Sequence, residues 1–338
     1  MKFFASCLIF LYSFLSIPYG HAAEKMLTGP QIWEKIFVPT LHEKFRKDNH
    51  SMSKVEALIE KLGGKIVLDH GGTRTADPQV YAFITRIGNA LGLVIHDHYV
   101  FESKHLEAID MQLPKSNGFK WFSTLIRYDE LSPEVAKIVQ EDNLNTKPRL
   151  SEKGLQLLEK LEERKVLSES EAKEFTHHII HDYFKRNGRP IYKNKLLKVS
   201  KESAETANAL LLGPDFNHLA ISINHLGISH WYGLEVIEIL ERKLKDTGFN
   251  ILPHILGEKS GLLRQTSILA DNTNFPILLD GGIVSSMAYP SKYVEFIQRS
   301  PSLDAQGNIK FSGDKVELYN GFLREHTEII YSSTDPTS

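Results

Sequence analysis

Two segments of this chain open in the same way. Lys65-Ile66-Val67-Leu68-Asp69-His70 and Phe216-Asn217-His218-Leu219-Ala220-Ile221-Ser222-Ile223 are extended, largely apolar runs in which an acid or amide precedes a histidine. Alternating or continuous apolar runs of this length mark strands with at least one buried face. A helix follows each. Thr75 can cap one from about Ala76 to Leu91, with Val80, Phe83, Ile84, Ile87 and Leu91 inward. The other runs from about Gly233 to Lys245, carries Val236, Ile237, Leu240 and Leu244 on one face, and stops at Gly248. Extended stretches complete both units: Val94 to Phe101 and Phe119 to Arg127 in the first, then Gly261 to Leu269, Phe275 to Ile283 and Tyr293 to Gln298 in the second. A β-α-β-β-(β) order that recurs within one chain predicts one compact α+β body rather than two independent domains.

The remaining segments arrange themselves around that repeat. Thr28 to Leu62 reads as helical with an interruption near Pro39, and Gly63-Gly64 ends it. Between the units, Ser132 to Tyr183 is rich in Glu, Lys and Leu and reads as a helical insertion, and Lys185 to Lys201 reads as a basic, loop-like return. The insertion as a whole covers about 130–200 of a single domain over 24–331, and 332–338 is expected to be a disordered tail.

The first 23 residues belong to a different class. One Lys2 charge, an apolar Phe3 to Ile17 and small residues at Ala22-Ala23 have the order of a secretory signal peptide, too short and too early for a comfortable membrane span. The expectation is cleavage near Ala22 or Ala23, a periplasmic or secreted product and no stable membrane insertion afterwards; an uncleaved anchor is the alternative. The only cysteine, Cys7, lies inside this segment. Cleavage therefore leaves no thiol, which excludes disulfides, cysteine-ligated zinc, iron–sulfur clusters and thiol catalysis. Any metal must be held by imidazole and oxygen. A net charge of −2 argues against a polyanion partner, so no nucleic acid is expected. There is no glycine-rich phosphate loop and no Gly-x-Ser-x-Gly elbow.

Several residues are candidates for chemistry. Asp69-His70-Gly71-Gly72-Thr73-Arg74 brings His70 and Arg74 to one face, with glycines that let a ligand approach the backbone. His70 is then a metal ligand and Arg74 a carboxylate clamp; a turn with a surface histidine and a solvated arginine fits the hexapeptide as well. His218 follows a Gly213-Pro214 turn at a strand edge, where a histidine is either a ligand or a satisfied rim residue. Glu295 points the same way as Ile297 on a late strand, so it needs a partner: a metal, Arg74 or Arg264. Arg264 with Thr266 and Gln265 with Ser267 occupy opposite faces of a strand that reads as a pocket wall or an exposed edge. Two further clusters compete. His177 and His181 share a helix face but sit in the Lys/Glu-rich insertion, and His96-Asp97-His98 lies on a partly exposed strand.

Four of these segments together, Asp69-His70-Gly71-Gly72-Thr73-Arg74, Gly213-Pro214-Asp215-Phe216-Asn217-His218, Leu262-Leu263-Arg264-Gln265-Thr266-Ser267 and Val294-Glu295-Phe296, resemble in order the 2-oxoadipate dioxygenase/decarboxylase family, from about Leu62 to Leu323. The resemblance implies a vicinal-oxygen-chelate-like fold of paired β-α-β-β-β units in a curved mixed sheet. It also implies Fe(II) held by His70, His218 and Glu295, with Arg74 anchoring the substrate. Arg264 and Gln265 stand as further substrate contacts. The implied reaction is oxidative decarboxylation and hydroxylation of a small 2-oxo acid with O2, giving a 2-hydroxyglutarate-like product from a 2-oxoadipate-like substrate. A zinc hydrolase or lyase on the same three residues, or a dicarboxylate-binding protein without activity, are the alternatives.

Overall fold

A computed structural model describes residues 24–336 of this protein, apart from 230, 232 and 234. The expected signal segment lies outside the described residues.

The first unit is built from β1 (Leu68–Thr75), helix α1 (Pro78–Ala90), β2 (Val94–Phe101), β3 (Leu106–Gln112) and β4 (Lys120–Ile126). The second is built from β5 (Phe216–Ser222), helix α2 (Val236–Asp246), β6 (Leu263–Ile268) and β9 (Tyr293–Arg299), with β7 (Asn272–Leu278) and β8 (Val284–Pro290) between the last two. Seven strands form one curled, mixed sheet in the order β2-β3-β4-β1-β5-β9-β6. In both units the opening strand pairs in parallel with the closing one, β1 with β4 and β5 with β9. The units join where β1 and β5 run antiparallel, which places the two histidine-bearing strands side by side at the centre of the sheet.

Three local expectations are corrected. Asp77, not Thr75, caps α1: its carboxylate accepts from Gln79 N at 2.8 Å, and Pro78 opens the helix. Phe275 to Ile283 does not join the main sheet. Pro276 has no N–H to donate to a second neighbour, and Gly281 and Gly282 at φ 77° and 80° reverse the chain, so β7 pairs with β8 as a separate hairpin. The basic return contains a helix, Lys193–Glu202, whose Leu196 and Val199 are buried.

Apolar side chains cover both faces. On the convex face Trp121, Leu219, Ile221, Val294 and Phe296 pack beneath α1, α2 and the N-terminal helices, each side chain contributing about 1.5–3 kcal/mol by leaving water. On the concave face Phe122 and Ile126 meet helices of the connection between β4 and β5 and the hairpin strands. The chain then returns along the concave side as helix α3 (Arg324–Ile330) and a single 3-10 turn, Tyr331–Thr334. The tail expected to be disordered from 332 is therefore ordered through Thr334. Ser333 and Thr334 are buried, and Ser333 Oγ lies 2.6 Å from Ser267 Oγ.

Candidate metal centre

The two central strands each carry an irregularity, and both fall one residue before a histidine. The pairing of β1 with β5 passes from Leu68–Ile221 to His70–Ala220, leaving Asp69 as an extra residue. It then passes from Gly72–His218 to Thr73–Phe216, leaving Asn217 extra on the other strand. A bulge re-aims neighbouring side chains and frees the inserted residue from the ladder. Here it lets each inserted side chain bond to the ring that follows it: Asp69 Oδ1 lies 3.0 Å from His70 Nδ1, and Asn217 Oδ1 lies 2.9 Å from His218 Nδ1. With Nδ1–H donating to these oxygens, both Nε2 atoms face the centre of the concave sheet.

Glu295 on β9 meets them there. Its Oε2 is 3.2 Å from His70 Nε2 and its Oε1 3.6 Å from His218 Nε2. The two rings are 5.3 Å apart at 79° to each other. All three residues are buried, and one donor atom from each lies within 4.8 Å of the others. The sheet brings together the three residues proposed as ligands. Glu295 takes neither arginine as its partner.

Gly72 makes this convergence sterically possible. A Cβ on it would lie 2.0 Å from His218 Cε1, so the imidazole occupies the space a side chain would fill.

Burial and charge set the protonation of the group. Burial pushes the His218 imidazole down to about 3. Burial also disfavours charge on His70, but hydrogen bonds to Asp69 and Glu295 outweigh it and raise that imidazole. Burial likewise opposes ionisation of Glu295, and the two imidazoles overcome it and lower the carboxyl. Asp69 is held well below the usual carboxylate range, burial being overcome by the positive charges of Arg299 and Lys120. Arg299 binds it through both Nε and Nη2 at 2.8 Å and donates from Nη1 to the carbonyls of Tyr319 and Gly321. Sequence reasoning gave Asp69 and Asn217 no role and missed Arg299, although Glu295 and Arg299 are two strand periods apart and so share a face.

Arg74 lies on the same face as His70, two pleats along β1, and is 2% exposed. Its guanidinium stacks 4.8 Å over the Tyr331 ring, and Nη1 donates to Thr334 Oγ1 at 3.4 Å. Nε and Nη2 are buried with no hydrogen-bond acceptor among the described residues. That pair of parallel donors matches a bidentate carboxylate. Gln265 lines the small cavity beside His70, His218 and Glu295, ≈ 20 Å³, together with Phe122, Tyr293, Phe322, Ile330 and Tyr331. Arg264 does not. It points to the convex face, where Nη1 and Nη2 hold both oxygens of Glu238 on α2 at 3.1 and 2.7 Å, and its expected place in the substrate pocket is withdrawn.

The competing histidines behave differently. His177 and His181 stack at 4.8 Å, while His178 bonds to Asp182 at 2.9 Å, and no group of three donors forms around them among the described residues. His96 lies 3.2 Å from Asp97 and 3.3 Å from Asp110, with His96 and Asp97 exposed. His98 turns instead towards Glu107 at 3.9 Å.

Donor chemistry of this kind suits an open-sided divalent metal. Two neutral imidazoles and one carboxylate, the imidazoles oriented by a second set of oxygens, form a facial set that leaves coordination positions free.

The family model described as 2-oxoadipate dioxygenase/decarboxylase matches residues 37–326. Among solved structures, a glyoxalase-superfamily protein from Ralstonia eutropha superposes with a TM-score of 0.71 at 20% identity, over 81% of this chain and 84% of that one. The hydroxyglutarate synthase of Oryza sativa in complex with 2-oxoadipate gives 0.69 at 20% identity, over 89% and 91%. The hydroxyglutarate synthase of Pseudomonas putida gives 0.66 at 16%, over 84% and 68%. No curated protein matches. The curled mixed sheet is thus the vicinal-oxygen-chelate-like fold that these structures share.

Proposed function

This chain belongs to the 2-oxoadipate dioxygenase/decarboxylase family, and from that premise we propose that it oxidatively decarboxylates a small 2-oxo dicarboxylic acid at an iron(II) held by His70, His218 and Glu295. The substrate is of the 2-oxoadipate type and the product of the 2-hydroxyglutarate type. The stoichiometry balances: one 2-oxo acid of six carbons and one O2 give one hydroxy acid of five carbons and one CO2. The observation that carries this reading is the buried convergence of three donors, each histidine fixed by the residue its own bulge inserts. Bound there, iron(II) would supply positions for the keto and carboxylate oxygens of the substrate and for O2.

The protein's own residues supply the rest. Asp69 and Asn217 fix the tautomer and direction of both imidazoles. Arg74 offers two unused N–H groups to a substrate carboxylate, with the Tyr331 ring holding its plane. Phe122, Tyr293, Phe322 and Tyr331 keep water from the centre. A cavity of ≈ 20 Å³ has room for about one water, so admission of a six-carbon acid requires Phe322 or the α3 segment to move. Export is proposed alongside, on the strength of the apolar Phe3 to Ile17 run alone.

Oxygen uptake by anaerobically purified protein, loaded with Fe(II), Zn(II) or no metal, tests the proposal against 2-oxoadipate, 2-oxoglutarate and pyruvate. The expected result is uptake only with iron, fastest with 2-oxoadipate and matched by CO2. Iron-loaded protein that consumes no O2 with any 2-oxo acid refutes it.

A further inference from the structure

Beside the metal centre, at the end of the sheet where β1 and β4 begin and β5 and β9 finish, lies a much larger cavity of ≈ 930 Å³, bounded by the N-terminal helices on one side and residues 315–320 on the other. Its floor holds Asp69, Lys120 and Arg299, and apolar side chains such as Val38 and Leu318 line its walls. Asp69 and Arg299 are committed to each other. Lys120 is not committed. It stands beside His70 in the β1–β4 register, is 2% exposed, and takes part in no ion pair or hydrogen bond through its ammonium among the described residues. Of the other carboxylates on the concave face, Glu295 meets the two histidines, and Asp110 accepts from Gln112 at 2.7 Å through Oδ2, 3.3 Å from His96, while its buried Oδ1 has no hydrogen-bond partner among the described residues. A buried ammonium without an acceptor is costly unless something supplies the anion. Burial and the Arg299 charge accordingly lower its affinity for the proton, although the Asp69 and Asp110 carboxylates oppose them.

We propose that this cavity is a carboxylate-binding antechamber to the metal centre, with the Lys120 ammonium as the counter-ion that draws a small dicarboxylate in. One ammonium beside a carboxylate suits a singly charged end group better than a phosphate dianion, and the apolar walls suit a short methylene chain. Phe322 is the partition between the two spaces. Its ring sits 4.8 Å from the His70 ring, 5.2 Å from the Arg299 guanidinium and 4.9 Å from Phe122. Rotation of that one ring joins the antechamber to the ligands. The inference rests on the proposed reaction only in naming what lies beyond Phe322.

Calorimetric titration of the metal-free, full chain with adipate tests it. Adipate has the two carboxylates and no keto group, and binding without metal is independent of turnover. Native protein is expected to bind adipate but not 1,6-hexanediol, which has the same chain without the carboxylates. Lys120→Met weakens adipate binding by about tenfold or more, and Lys120→Arg retains most of it. Leu318→Trp, which fills the cavity from its partly exposed wall, produces a similar loss without touching the buried lysine. Adipate affinity unchanged in Lys120→Met, or no adipate binding by the native protein at millimolar concentration, overturns the antechamber. Oxygen uptake by the iron-loaded native enzyme reads the reaction separately, so turnover with an adipate affinity indifferent to Lys120 removes this inference and leaves the proposed function standing.

Discussion

Replacing Gly72 by alanine sets a methyl group where the His218 imidazole lies. The added Cβ meets Cε1 at 2.0 Å and both ring nitrogens at 2.7 Å, and reaching an ordinary 3.4 Å contact displaces the ring by about 1.4 Å. The ring has little freedom to yield, since Asn217 holds Nδ1 at 2.9 Å and Tyr293 packs against its face at 4.8 Å. Metal–ligand distances tolerate only about 0.2 Å. Loss of a supporting contact alone costs up to about 100-fold in metal affinity, so displacing the ligand itself costs at least that, about 2.8 kcal/mol. Gly71→Ala provides the contrast. Its Cβ meets Leu219, Phe119 and Phe216 at 2.7–2.9 Å on the apolar, opposite face. Both variants lose about 1–3 kcal/mol of folding stability by overpacking, but only Gly72→Ala loses metal. Anaerobic competition with a chromogenic chelator and urea denaturation measure the two effects separately. Native metal affinity in Gly72→Ala, or equal losses of affinity in both variants, refutes the reasoning.

Three further outcomes follow from neighbouring contacts. Asn217→Ala removes the oxygen that orients His218 and lowers metal affinity by about 10–100-fold in the same chelator assay, with little change in the urea midpoint. Arg264→Met breaks the pair that the buried guanidinium makes with Glu238 on the convex face; it lowers stability by about 1.5–3 kcal/mol and leaves KM for the 2-oxo acid unchanged in steady-state kinetics. The carboxyl of Asp69 is depressed well below 3.8 by its cationic partners, so its stabilisation is complete above that value and is lost as pH falls through the lower folded value. Urea denaturation from about pH 5 to pH 3 shows this acid loss in the native protein, and Asp69→Asn flattens it.

The histidine-bearing strands and their helices were legible because apolar periodicity and a repeated order survive in the residues themselves. The two histidines that converge were legible through the acid-histidine and amide-histidine dipeptides, but the roles of Asp69 and Asn217 were not. Asp69 and Asn217 act as they do because each is the unpaired member of a bulge, and a bulge exists only once two strands are in register. Gly71-Gly72 read as room for a ligand beside the backbone; paired with β5, Gly72 is the space into which an imidazole fits. Arg264 and Gln265 were correctly set on opposite faces, yet which face is concave depends on the curl of the whole sheet, and that moved Arg264 out of the site. Lys120, Arg299, Phe322 and Tyr331 come from four separate segments with no shared spacing, so only the folded chain brings them around the ligands. Pro276 and Gly281-Gly282 did carry the signal for the β7–β8 hairpin, and the strand expected over Phe275 to Ile283 disregarded it.

Anomalous diffraction at the iron edge from crystals grown and loaded without oxygen tests the central claim most directly. The account predicts one strong peak on the concave face, about 2.0–2.2 Å from His70 Nε2, His218 Nε2 and a Glu295 carboxylate oxygen. A peak instead at His96, Asp97 and Asp110, the other group among the described residues whose donors lie within 4.8 Å of one another, or no peak at either place, would contradict it.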